Sequence, residues 1–388
     1  MPDKLKKGWK IWRFDQMATM VNERIDDPAK AGVEYYVGLE HLDSDSLTIR
    51  RWGSPSDVAA TKLLFRKGDI IFGRRRVYQR KLAVAQFDGI CSAHAMVLRA
   101  KPDVVLSDFL PFFMQSDLFM ERAKQISVGS LSPTINWKTL AQEEFALPPL
   151  DEQRRIAEVL GAIMENQEAL FRLKESIIMT REAYAFSLWS DPLNKIQYKK
   201  LDELCEKIQD GTHFSPSTLS SGDFMYITSK HIKDGYLDLA DVGWVSKEDH
   251  ESIYKRCDVR FGDVLLTKDG ANAGNVAINN IHEPVSLLSS VAFIRTKRKL
   301  LLTDYLFEYL RSIIGKSMLL IHVKGSAITR LILHQIRQTK IPLFTLGEQK
   351  TICRHFEKMQ NNLNDLKHKQ NELERIRISL LKIGGDAS

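Results

Sequence analysis

Five cations fall within eight positions at Arg74, Arg75, Arg76, Arg80 and Lys81, with Tyr78 among them. They follow Leu63-Leu64-Phe65-Arg66-Lys67-Gly68-Asp69-Ile70-Ile71-Phe72, which reads as a strand, a turn on Gly68-Asp69 and a second strand, so the cations would stand on a rigid base. A guanidinium fork fits guanine O6 and N7 as well as a phosphate, so three consecutive arginines can anchor a polyanion and read a base edge. The plainer reading is a solvated loop. A second set, Lys268, Asp269, Asn272 and Asn275 around Gly270 and Gly274, differs in chemistry. Asn suits adenine, Asp accepts from cytosine N4, and Lys suits phosphate or guanine; the plainer reading here is a Gly-Asn turn.

The familiar catalytic and nucleotide-binding motifs are missing from the sequence. There is no GxxxxGK[ST] loop, no GxGxxG after a strand and no HExxH, so phosphate-loop, dinucleotide and zinc-hydrolase chemistry is unsupported. An adenine methyltransferase would carry [N/D]PP[Y/F], whereas the single Pro-Pro, Pro148-Pro149, sits in an apolar hinge before a helix. The ten histidines lack metal-ligand spacing. Asp365-Leu366-Lys367 has the acidic-x-Lys form of nuclease cores but lies on a charged helix face. His41 and His231 recur at matching places without a recurrent Ser or Cys partner, which suits a structural or DNA-contacting imidazole. Cys91, Cys205, Cys257 and Cys353 form no CxxC pair and read as buried, reduced thiols.

What must position these loops is a duplicated frame. In Asp151 to Ser190, Ile156, Ile163, Leu170, Ile177 and Tyr184 recur every seven residues; from Glu348 to Ile383, Ile352, Met359, Leu366, Leu373 and Leu380 do the same. That period keeps one seam of a helix facing a partner helix. Each rung of the second ladder lies 196 positions beyond its counterpart in the first, so the chain is a duplication. Residues 1 to 150 read as a mixed domain of short strands, including Tyr35–Leu39, Leu82–Phe87 and Ala95–Arg99, and a few helices, among them Asp108 to Ile126. Residues 191 to 346 repeat the plan: Arg260-Phe261-Gly262-Asp263 answers Arg66-Lys67-Gly68-Asp69, Tyr226–Ile232 answers Tyr36–Leu42, and Gly325-Ser326 answers Gly129-Ser130.

The expected layout is therefore α+β, with mixed domains at 1–150 and 191–346 and coiled-coil helices at 151–190 and 347–388. At 388 residues, 44% hydrophobic and 27% charged, the chain can bury proper cores. A net charge of +7 and pI near 9.0 favour a polyanionic partner. No apolar run is long enough for a membrane span, and MPDKLKKGWK lacks a signal peptide's apolar region, so a cytoplasmic location without membrane is expected.

Leu147-Pro148-Pro149-Leu150-Asp151-Glu152-Gln153-Arg154-Arg155-Ile156 and its echo Ile341-Pro342-Leu343-Phe344-Thr345-Leu346-Gly347-Glu348-Gln349-Lys350 each lead into a heptad helix. With Gly8-Trp9, Lys81–Arg99 and Leu265–Ile278, they make the whole chain resemble the specificity (S) subunits of Type I restriction-modification systems. The second helix start departs from the pattern, with Phe344-Thr345 where two prolines are common. The resemblance implies two target recognition domains separated by an antiparallel pair of helices, each domain reading half of a split double-stranded DNA target. It implies docking of two methyltransferase (M) subunits, with motor-nuclease (R) subunits able to join. It also implies no catalysis and no cofactor on this chain; S-adenosylmethionine, ATP and Mg2+ would belong to the partners. Two alternatives stay open: the specificity subunit of a related system with a fused methyltransferase-nuclease, or a coiled-coil assembly protein that does not bind DNA.

Overall fold

A computed structural model describes residues 5–190, 196–321 and 330–382, and the Gly325-Ser326 pair lies outside them. The chain divides into two compact units, Met1–Phe171 with Lys367–Ser388, and Arg172–Leu366.

In the first unit, Ala18–Val21, Ala95–Ala100, Ile70–Gly73 and Leu82–Val84 form an antiparallel sheet in that order. Side chains alternate across a strand, and both faces are used. Ile70, Phe72, Leu82, Met96 and Leu98 join a core with the helices, while Ile71, Ala83, Ala95 and Val97 join a core under a second sheet. Burial on both faces explains why Ile70-Ile71-Phe72 is an unbroken apolar run. The second sheet orders Arg24–Ile25, Lys62–Phe65, Gly89–Cys91 and Tyr35–Val37, with its last pair parallel.

The second unit repeats this arrangement. Cys205–Asp210, Val291–Thr296, Val264–Thr267 and Val276–Ile278 form the first sheet. Val264, Leu266 and Ile294 face one core, and Leu265, Val291 and Phe293 face the other. Its second sheet orders Gly243–Val245, Phe224–Ile227 and Ser286–Leu287, again with a parallel last pair.

Three expectations change. Lys62–Phe65 and Ile70–Gly73 do not pair as a hairpin but enter different sheets. The turn between them is a crossover corner. Gly68 has φ +91°, Arg66 N donates to Asp69 Oδ2 at 2.9 Å, and Arg99 grips the same carboxylate at 2.7 and 2.9 Å. The second unit copies it with Gly262, Asp263 and Arg295. Secondly, the Asp108–Ile126 helix is two helices, Leu110–Gln115 and Asp117–Gln125. Ser116, extended at ψ 152°, caps the second by accepting from Phe119 N. Thirdly, the strand expected over Leu82–Phe87 stops at Val84, and Gly89–Cys91 forms another.

The long helices are Leu150–Trp189 and Leu346–Leu381. Each unit takes the N-terminal half of one and the C-terminal half of the other. In the first, Gln167 Nε2 donates to Glu374 Oε2 at 3.0 Å; in the second, Trp189 stacks on Phe356 at 5.6 Å, and Tyr184 lies beside both His355 and Phe356. None of the ten heptad rungs is exposed, and Ile163, Ile352 and Leu366 are buried. Burial pushes all four thiols up to about 12, although Cys353 is only half-buried.

Candidate nucleic-acid interface

Beyond the strand Ile70–Gly73, the backbone leaves ordinary conformations. Arg76 (φ +57°) and Arg80 (φ +52°) are two of four non-glycine residues in the left-handed region among the described residues. They bracket the short turn Val77–Gln79, whose Val77 is buried and whose Tyr78 is 52% exposed. Strain of this kind persists only where surrounding contacts hold it, and it clusters at functional sites. The contacts here are named. Arg76 N donates to Pro133 O at 2.7 Å, Arg76 Nε to Ser132 Oγ at 3.3 Å, and Ile135 N to Arg74 O at 2.9 Å.

The arginine side chains then divide. Arg74 Nη2 donates to Ala93 O at 2.9 Å, and Arg75 Nη1 lies 3.2 Å from His94 Nε2. Among the described residues, Arg74, Arg75 and Arg76 pair with no carboxylate. Their charge is uncompensated locally. Partial burial, and then the charges of Arg75 and Arg74, hold His94 below the usual imidazole range, so at neutral pH it is neutral beside them. Arg80 and Lys81 are used internally instead. Arg80 pairs with Asp45 and Asp117 and donates to Gln115 O, and Lys81 Nζ donates to Leu39 O at 2.6 Å. Arg74, Arg75, Arg76 and Tyr78 thus stand together, whereas the Arg80 and Lys81 side chains are taken up by internal contacts.

The second loop divides as well. Lys268 is 4% exposed, its Nζ 2.7 Å from Asp210 Oδ2 and 3.0 Å from Ser289 O. It is a buried strut, not a reading side chain. Burial alone would raise the Asp210 carboxyl, but Lys268, His213 and Arg256 hold it below the usual carboxylate range. Gly270 (φ +93°) and Gly274 (φ +91°) turn the chain so that Asn272 is exposed. Asp269 pairs with Arg330 at 3.4 Å, and Asn275 Oδ1 accepts from Lys316 Nζ at 3.5 Å. Arg330, with a side chain 68% exposed, is a cation the sequence reading missed.

His41 and His231 have the same structural duty. Their Nδ1 atoms accept from Gly38 N at 3.0 Å and Thr228 N at 2.9 Å, closing equivalent turns. Among the described residues no cluster of three or more His, Cys, Asp or Glu could hold a metal ion, and no helix is long and apolar enough to cross a membrane.

Two units of one design carry unlike loops at corresponding strand ends, which defines a duplicated scaffold. The family model described as Type I restriction modification DNA specificity domain matches residues 56–177 and 194–375. The chain belongs to that family. The Type I restriction enzyme EcoDI specificity subunit of Escherichia coli is 28% identical over 154 residues, 39% of this chain and 34% of that subunit's length. The MjaVIII specificity subunit of Methanocaldococcus jannaschii is 26% identical over 306 residues, 73% of this chain and 70% of that one. Among solved structures, the Type I system S subunit from M. genitalium superposes with TM-score 0.61 at 16% identity, over 98% of this chain and 97% of that one. A chain from a study of complex assembly and conformational transition of the type I R-M system gives 0.58 at 22%, over 98% of both. These two structures share the fold.

Proposed function

We propose that this chain is the non-catalytic specificity subunit of a Type I restriction-modification complex, reading a bipartite duplex through recognition domains at 1–150 and 191–346. The observation that carries the reading is the pairing of like scaffold with unlike loop. Ile70–Gly73 leads to Arg74, Arg75, Arg76 and Tyr78, and its counterpart Val264–Thr267 leads to Asp269, Asn272 and Asn275. One set favours guanine and phosphate; in the other, exposed Asn272 favours adenine, and Arg330, held by Asp269, brings the cation. A chain that needed one surface twice would have kept the loops alike.

On this reading the helices at 151–190 and 347–388 set the gap between half-sites and dock two methyltransferase subunits, to which motor-nuclease subunits add. S-adenosylmethionine, ATP and Mg2+ act on those partners. Readers one turn or more apart on B-DNA need a stiff spacer, because major-groove faces recur about every 34 to 36 Å. The test is a gel shift with random duplexes at two salt concentrations, followed by mapping of methylated adenines in the host genome. Binding that falls steeply with salt, and a methylated motif in two halves, is the expected result; purified chain that binds no duplex overturns the reading.

A further inference from the structure

The loop 128–134 has no part in the cores, yet it is fixed firmly. Val128 and Thr134 exchange hydrogen bonds at 3.0 and 2.9 Å, Gly129 turns the chain at φ +118°, and Thr134 also bridges to Arg75. At its tip Leu131 is 90% exposed, and Val128 at its base is 78% exposed. One exposed Leu means little by itself. This one stands on a turn stitched to Arg76 through Pro133 O and Ser132 Oγ, so an apolar point and guanidinium groups with no carboxylate partner among the described residues form one rigid body.

We propose that Leu131 is a wedge that enters the base stack of duplex DNA at the half-site read by the first recognition domain. The inference rests on the DNA-reading function above and adds a deformation to it. Proteins that kink DNA push an apolar side chain between base steps while cations hold the flanking phosphates. Leu131 supplies the apolar point, and Arg75 and Arg76 supply the cations. The loop's own hydrogen bonds keep the wedge from folding back on the protein. Steps that unstack easily, pyrimidine followed by purine, would be selected without any base-edge contact.

The experiment uses the full chain with the methyltransferase subunits that co-purify, and duplexes selected by that complex from a random pool, each carrying 2-aminopurine at one step. Wild type should raise fluorescence severalfold at one step within one half-site. Leu131→Ala should abolish that rise and weaken the selected duplex by about tenfold, with unchanged melting and unchanged binding to an unrelated duplex; Leu131→Phe should keep the rise. An identical fluorescence profile in wild type and Leu131→Ala overturns the wedge while leaving DNA reading intact. Loss of subunit co-purification in Leu131→Ala, with the rise unaffected, assigns the tip to a protein contact and overturns it too. A wild-type complex that binds no duplex removes both readings.

Discussion

Gln153 and Gln349, 196 positions apart, make the same three hydrogen bonds in their separate units. Gln153 Oε1 accepts from Leu106 N at 3.0 Å, and its Nε2 donates to Val104 O at 3.1 Å and Pro148 O at 2.9 Å. Gln349 Oε1 accepts from Leu302 N at 2.9 Å, and its Nε2 donates to Leu300 O at 3.0 Å and Phe344 O at 2.9 Å. Both are buried, at 1% and 0% exposure. Each carboxamide thereby ties the first turn of a long helix to the lobe it leaves. Gln153→Ala or Gln349→Ala strands one N–H and weakens two carbonyls, so each should cost about 3 kcal/mol, read as a lower urea midpoint. A loss under about 0.5 kcal/mol would show that water replaces the amide without penalty.

The repeat was legible because it rests on period and identity, which survive without coordinates. Seven-residue rungs and the Gly-Asp corners are local patterns. Which sheet Lys62–Phe65 joins is set by pairing with Cys91 and Gly89, more than twenty residues on, and no local signal carries that. Lys268 was misplaced for a related reason. A Lys after a strand reads as solvated, and its burial is explained by Asp210, 58 positions away, and by Ser289 O. Leu131 carries little signal of its own in the sequence, being an apolar residue between Ser130 and Ser132 in a stretch of turn residues.

The role of Lys268 can be decided by stability. Lys268→Met keeps the stem but leaves the buried Asp210 carboxylate short of its one buried cation, with the more exposed Arg256 still present at the same 2.7 Å. Removing one partner of a buried pair should cost about 3 kcal/mol, and adding Asp210→Asn should recover much of it. If Lys268→Met instead left the urea midpoint unchanged and altered only DNA binding, the strut assignment would fall.

Arg74→Ala with Arg76→Ala removes two guanidinium groups that no carboxylate neutralises. We expect weaker DNA binding, a shallower salt dependence by about one to two phosphate contacts, and relaxed recognition of one half-site. Equal loss at both halves would indicate general attraction rather than reading.

Acid should weaken the second unit through two histidines. Burial, and then Lys230, holds His231 below its ordinary 6.5, against an opposing pull from Asp241; burial holds His250 down against Glu251. His250 also stacks on Phe224 at 4.0 Å and shares a hydrogen bond with Ser286 Oγ. The folded state prefers the neutral rings, so below about pH 6.5 the unfolded chain takes up protons first and stability falls with pH. Melting temperature should therefore drop between about pH 7 and pH 5, and His250→Gln should flatten that slope; equal slopes in variant and parent would exclude His250 as a source.

The length of the long helices should be written into the spacing of the DNA target. A heptad adds about 10 Å of helix, close to three base pairs at about 3.4 Å per step, and it returns every seam residue to its former face. One heptad inserted between Leu170 and Ile177, and one between Leu366 and Leu373, should leave both half-sequences unchanged and widen the unspecified gap by about three base pairs, or else abolish modification if partner docking cannot follow. Two residues at the same places turn the seam by about 200°, to the face away from its partner, and should abolish binding outright. Sequencing of methylated sites reads the gap directly, and a widened protein that still modified the original spacing would show that something other than the helices sets the distance.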